Sequence, residues 1–486
     1  MFGRRSWFLR GLVSALAIAM GAWGVSVPAY ADTPAGAPAA PVAAGPDTVT
    51  ADGLPTWQIN GAVFQQVVVG NTAYAVGSFT QARPPGVAVG GAGSVAANNI
   101  FAFDIRTGNR VASFAHQLNG QALAIAASPD GSRIYVGGDF TSVNGVARGH
   151  VAAFDVATGA LVAGWAPSTS GQVRAIQVTD STVYVGGSYL AANGIARTNL
   201  AAFATANGAL SPWAPAADGG FVWTMTLTPD RSALVVGGSF TTLNTVDAYG
   251  MGKVDLAGAT QPWAATARIR TAGLNGAITS LRTDGSQIFG GGYAFGAGAT
   301  FEGMFAADPA TGAINWVNDC LGDTYDVYPF SGALYSVGHS HDCSVIGGFP
   351  DTKPRSVWYQ ALAHPLTANG LTMWRDQYGW DYTGLPKGGL LNWNPRLAFG
   401  SYTPSRQAAW TIVGSGDYLV LGGEFPSVNG IAQQGLVRFA KRPAAPRKMG
   451  PVYAPEFNPV ISSYESGKVR LTFQALWDRD NPTQIG

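Results

Sequence analysis

Charge is scarce in this chain: Asp, Glu, Lys and Arg make up 12% of its 486 residues, and the formal net charge is +1. There is no basic excess to bind nucleic acid and no block of like charge to form a tail. Lysine is scarcer than arginine, 6 against 23. Cysteine occurs only twice, at Cys320 and Cys343, so one internal disulfide is the most the chain can form. Beyond the N-terminal segment nothing approaches 18 uninterrupted apolar residues, which excludes a membrane-spanning helix from the rest of the chain. No G-x-S-x-G, HExxH or P-loop pattern is found, so those reaction classes have no signature here. Glycine, by contrast, is abundant at 65 residues. It lacks the G-x-Y period of collagen and falls instead as GG and NG inside apolar runs, as suits a turn-rich β-protein.

The first 31 residues read as a signal peptide. Arg4, Arg5 and Arg10 precede an apolar stretch over 11–28, and Ala29-Tyr30-Ala31 places small residues before a cleavage point at Asp32. Residues 32–53 are rich in Ala and Pro and are expected to be a disordered spacer. In an exported chain the two cysteines read as a disulfide, whose loop stabilises by about 3 kcal/mol on the chain-entropy account.

Internal repetition decides the fold. Ile134–Gly145 (IYVGGDFTSVNG) returns as Val183–Gly194 (VYVGGSYLAANG), Leu234–Asn244 (LVVGGSFTTLN) and Leu419–Gly430 (LVLGGEFPSVNG). Fainter copies sit at Ala73–Phe79, Ile288–Tyr293 and Leu334–His339. One unit divides into a strand near Gly171–Thr179, a second at Val183–Leu190, a third at Thr198–Phe203, and a fourth leading to Trp213. Asn-Gly pairs supply the turns. Such four-stranded sheets cannot bury both faces alone, and radial stacking buries them. The expectation is an all-β, seven-bladed β-propeller over residues 54–441, with repeat tryptophans Trp165, Trp213, Trp263, Trp316 and Trp374 between blades. The Trp57 strand is expected to complete the seventh blade beside residues 435–440.

The repeat, together with AAFDVATGAL and GGEFPSVNGIAQQGLVRFA, resembles the delta-60-type β-propeller repeat of secreted actinobacterial proteins. The resemblance covers about residues 55–440 and implies a propeller fold and export. Proteins of that kind often carry fibronectin type III-like and lectin-like domains after the propeller. Residues 442–455 read as a Pro-rich linker, and 456–486, with Trp477–Asn481, as a partial fibronectin type III-like segment.

Two places depart from the repeat. Between Leu334 and Leu419 the interval is 85 residues rather than about 50, and the excess maps to a rim insertion at about 375–407. Its Trp380, Tyr382 and Trp393 are candidate ligand contacts, since such rings stack on sugar faces. They also suit a packing role against the next blade. The second place runs from Asp319 to Cys343, where His339 and His341 alternate on a strand and so share a face. With Asp323 they are candidates for a metal site or for acid–base chemistry. A hydrogen-bonded structural cluster beside the disulfide fits the same residues. Asp326, Asp342 and Glu424 are further carboxylates considered for glycoside hydrolysis. No cofactor is expected, a bound metal ion apart. The functional expectation is a secreted or cell-surface binding module for a glycan or an extracellular protein. The alternative is a polysaccharide hydrolase or lyase using Asp323, His339 and His341.

Overall fold

The computed structural model describes residues 46–445, 460–465 and 467–472. The expected signal peptide lies outside these, as do most of the linker and much of the C-terminal segment. Apart from three short 3-10 turns, the regular structure is all β, and among the described residues no helix is long and apolar enough to cross a membrane.

One repeat shows how the sheet arises. Gln172–Val178, Thr182–Ser188 and Leu200–Ala204 form an antiparallel meander, and Leu210 adds a bridge to Phe203 as the remnant of a fourth strand. The strands carry the β-branched and aromatic residues that pack well on a pleated surface. Asn193 and Gly194 turn the chain with φ of 45° and 76°, which asparagine tolerates and glycine adopts freely.

Among the described residues seven such meanders follow one another. Their first strands are Ala62–Val69, Ala122–Ala127, Gln172–Val178, Val222–Leu227, Gly276–Thr283, Thr324–Phe330 and Ala409–Ser415. Each first strand packs against the first strand of the next sheet, and the seventh packs against the first. The arrangement is propeller-like. Among the described residues no sheet hydrogen-bonds into a closed barrel; side chains join one sheet to the next. A Cβ on Gly137 would stand 2.4 Å from the Val173 side chain of the next sheet. A Cβ on Gly422 would stand 2.7 Å from Val63, which carries the same contact from the last sheet to the first. Glycine at these positions lets the sheets approach where they crowd together. Backbone N–H groups on the inner strands are met by side chains of the neighbouring sheet: Gln65 accepts from Ile125, Thr224 from Leu281, and Asp326 from Ile412.

The tryptophans fasten sheet to sheet. The Trp165, Trp213 and Trp316 indoles donate to the Ala204, Asp255 and Leu366 carbonyls, each on the sheet that follows. Trp393, not Trp374, continues this series: it is 1% exposed and its indole lies 3.5 Å from the Thr50 carbonyl. Trp374 is 51% exposed. The rim insertion is therefore displaced from its expected place at 375–407. Residues 366–390 are inserted ahead of Leu391, which bridges to Ala363 as the fourth-strand remnant of the sixth sheet. Residues 394–408 connect the sixth sheet to the seventh.

The ends meet on the seventh sheet, in a register different from the expected one. Thr50 N–H donates to Ala440 and Leu54 N–H to Arg438, so residues 50–54 form the closing strand. Val49 and Ala51 are fully buried, so the end of the expected disordered spacer is ordered core. Trp57 stacks on Phe101 of the first sheet, with ring centroids 5.9 Å apart. Farther on, the described part of the C-terminal segment is one hairpin, Val460–Glu465 with Lys468–Thr472.

Candidate functional site

Every first strand carries a β-bulge at the same place. The breaks fall at Val63/Gln65, Ala122/Ala124, Val173/Ala175, Val222/Thr224, Ile278/Ser280, Thr324/Asp326 and Ala409/Thr411. The extra residues are Phe64, Leu123, Arg174, Trp223, Thr279, Tyr325 and Trp410. A bulge re-aims the side chain it inserts. All seven side chains line one cavity of about 250 Å³ where the first strands converge.

The walls of the cavity differ in chemistry. Tyr325 and Trp410 lie with centroids 4.3 Å apart, and Phe64 meets Trp410 at 6.0 Å. On another wall the Arg174 guanidinium sits 4.5 Å from the Trp223 ring and 5.2 Å from Phe221. Burial pulls its pKa below the ordinary arginine range. Arg282 is neutralised by Asp326 at 3.1 Å, and Asp326 also accepts from Ser280, Thr411 and the Ile412 N–H. Burial disfavours the Arg282 charge, but the Asp326 carboxylate outweighs it and the pKa is raised. Thr403 and Ser405, from the connection between the sixth and seventh sheets, complete the lining. Glu424 holds that connection by accepting from the Tyr402, Thr403 and Gln407 N–H groups and from the Trp410 indole. Its carboxylate is thus occupied structurally.

The expected Asp323/His339/His341 set is only partly assembled. The Tyr325 hydroxyl donates to Asp323 at 2.7 Å, and His339 Nε2 lies 3.8 Å from Asp323 Oδ1. His339 Nδ1 meets Gln407 Oε1 at 2.9 Å. Burial, joined by the neighbouring Asp323 carboxylate, pushes Glu302 up to about 8. His341 goes elsewhere. It is buried with Nδ1 3.5 Å from Asp351, and burial together with the nearby Arg355 cation lowers its pKa to about 4. A register shift between Val337 and Ser340 interrupts the regular alternation that the shared-face expectation assumed. The metal reading is corrected accordingly: among the described residues no three His, Cys, Asp or Glu side chains are grouped to hold an ion. Cys320 and Cys343 do form the disulfide, with Cα atoms 4.3 Å apart.

The expected rim contacts are corrected as well. Trp393 packs edge-on against Tyr335 and Phe439 inside the core. Tyr382 is 2% exposed and donates to the Thr300 carbonyl at 2.7 Å, which ties the insertion to the fifth sheet. Trp380 is half-buried on the same apolar cluster. Tyr382 and Trp380 hold the insertion down.

The cavity was not identified from the sequence. Its signal is a bulky or charged residue breaking the apolar alternation of the first strand, as in QVRAIQV and VWTMTL. No protein-family profile matches the chain, and no curated protein matches it. Among solved structures, a computationally designed protein, Ika8, aligns at 12% identity and a TM-score of 0.40, over 82% of this chain and all of its own. A chain of the mitotic checkpoint complex aligns at 12% identity and a TM-score of 0.43, over 87% of this chain and 99% of its own.

Proposed function

We propose that the chain is a secreted or cell-surface seven-bladed β-propeller that binds a glycan in its axial cavity. The observation that carries this reading is the convergence of seven bulge side chains, one per sheet, on a single cavity. Four aromatic rings and a hydroxyl-rich wall suit a ligand that offers both a ring face and polar edges. The volume, below the ~300–1,000 Å³ of most small-molecule sites, fits a chain end or a single ring. An extracellular protein partner would have to reach it with one side chain or a terminus. Export is supported by the signal-peptide pattern, the disulfide and the resemblance of the repeats to secreted actinobacterial propellers. The hydrolase or lyase reading needed three groups over one cleft and has lost His341 from its set.

The test is binding to a polysaccharide panel, followed by tryptophan fluorescence, for the full chain and for Trp410→Ala. Retention on a glycan, lost in the variant, supports axial binding. Retention that Trp410→Ala leaves unchanged moves the site elsewhere, and no retention on any glycan removes the reading.

A further inference from the structure

Resting on that reading, we infer that the glycan is acidic: a sugar ring bearing a carboxylate or another oxyanion, recognised by Arg174. Two arginines line the cavity, and only Arg282 touches a carboxylate; Arg174 feels the Asp139 charge at longer range. Arg282 is bound by Asp326. Among the described residues no carboxylate lies within 4.0 Å of the Arg174 guanidinium, and its buried Nε–H has no acceptor.

The other carboxylates near the cavity are engaged. Asp139 accepts from the Gln121 and Gln172 amides, and Asp323 from Tyr325, with His339 beside it. Arg174 therefore keeps its outer N–H groups for a ligand, while Trp223 and Phe221 hold the plane of the guanidinium. A guanidinium fixed in this way presents a fork that matches an oxyanion. Tyr325 and Trp410 offer a ring face in the same cavity, so anion and ring recognition sit within one small volume.

The inference is tested by calorimetric titration of the full chain with oligogalacturonate, a sulfated gluco-oligosaccharide and a neutral gluco-oligosaccharide. The acidic probes are expected to bind at least about tenfold more tightly than the neutral one, with affinity falling as salt rises. Whichever of the two acidic probes binds better identifies carboxylate or sulfate as the group read. Arg174→Gln is expected to weaken acidic binding about 10- to 100-fold and leave neutral binding unchanged, and Arg174→Lys to restore part of it. Thermal melting of each variant establishes that it is folded. If neutral and acidic probes bind alike, and Trp410→Ala but not Arg174→Gln abolishes both, the acidic inference fails and axial glycan binding stands. If no saccharide binds, both fail.

Discussion

The Tyr325 hydroxyl donates to the Asp323 carboxylate at 2.7 Å, and His339 on the neighbouring strand lies 3.8 Å from that carboxylate, which links it to the axial cavity. Tyr325 is a bulge residue and Asp323 lies two residues earlier on the same chain segment. Burial, reinforced by the Asp323 charge, raises the Tyr325 pKa, so the phenol stays protonated and remains a donor. Tyr325→Phe keeps the ring on Trp410 and deletes this one bond. The expected loss is about 1.5–3 kcal/mol of unfolding free energy, typical of a hydrogen bond to a charged group. Urea denaturation checks it, and a loss below about 0.5 kcal/mol would mean the bond adds nothing to stability.

Two tryptophans, Trp374 on the insertion and Trp393 just after it, should behave oppositely. Trp393→Ala removes a fully buried indole and is expected to cost about 3–5 kcal/mol. Trp374→Ala changes an exposed ring and should stay within about 0.5 kcal/mol. Equal costs in chemical denaturation would contradict the placement of Trp393 in the repeat series.

The closing strand predicts where truncation is tolerated. A chain beginning at residue 46 retains Thr50 on Ala440 and Leu54 on Arg438, and should melt like a chain beginning at residue 32. A chain beginning at residue 55 exposes the edge of the seventh sheet and uncovers the pocket of Val49 and Ala51, and should melt several degrees lower or aggregate. Matching melting curves for the two would show that the ring does not depend on this strand.

Glu302 predicts a loss of stability as pH rises from the acidic range to about 8. Its pKa in the folded protein is about 8, against 4.5 for the ordinary side chain. The folded state therefore keeps a proton that the unfolded state releases. The associated stability is complete below the unfolded value and is lost as pH rises through about 8. Glu302→Gln removes this dependence. The melting temperature of the parent chain should decline relative to the variant between about pH 5 and pH 8, and parallel profiles would refute the assignment.

Removing the Cys320–Cys343 disulfide, which spans 23 residues, is expected to cost about 2–5 kcal/mol. Cys320→Ala/Cys343→Ala measured against the parent by calorimetry gives the value. A variant as stable as the parent would leave the disulfide without a structural role.

The local β architecture was legible in the sequence. The expected strands at Gly171–Thr179 and Val183–Leu190 are found at Gln172–Val178 and Thr182–Ser188, because alternation and Asn-Gly turns act over a few residues. The GG pair inside the second strand of the clear repeat copies was legible too, and the structure shows what its first glycine does at Gly137, where Val173 of the next sheet presses on the backbone. The site was less legible. His339 and His341 were expected to share a face by simple period-two counting, and a register shift between Val337 and Ser340 breaks that count. Trp374 sits near the expected spacing for the repeat, yet Trp393 fills the interface, because an insertion can precede the fourth strand as easily as follow it.

What the sequence determined by itself was therefore the unit: strand, turn, glycine contact and tryptophan, repeated along the chain, together with the pairing of its two cysteines. Those features follow from residue preferences and short-range register. Only the tertiary structure decided which side chains meet at the axis. Phe64, Arg174, Trp223, Tyr325 and Trp410 are far apart in sequence, and each is turned inward by a bulge. They become neighbours through the cyclic packing of the first strands, which brings the seventh sheet against the first.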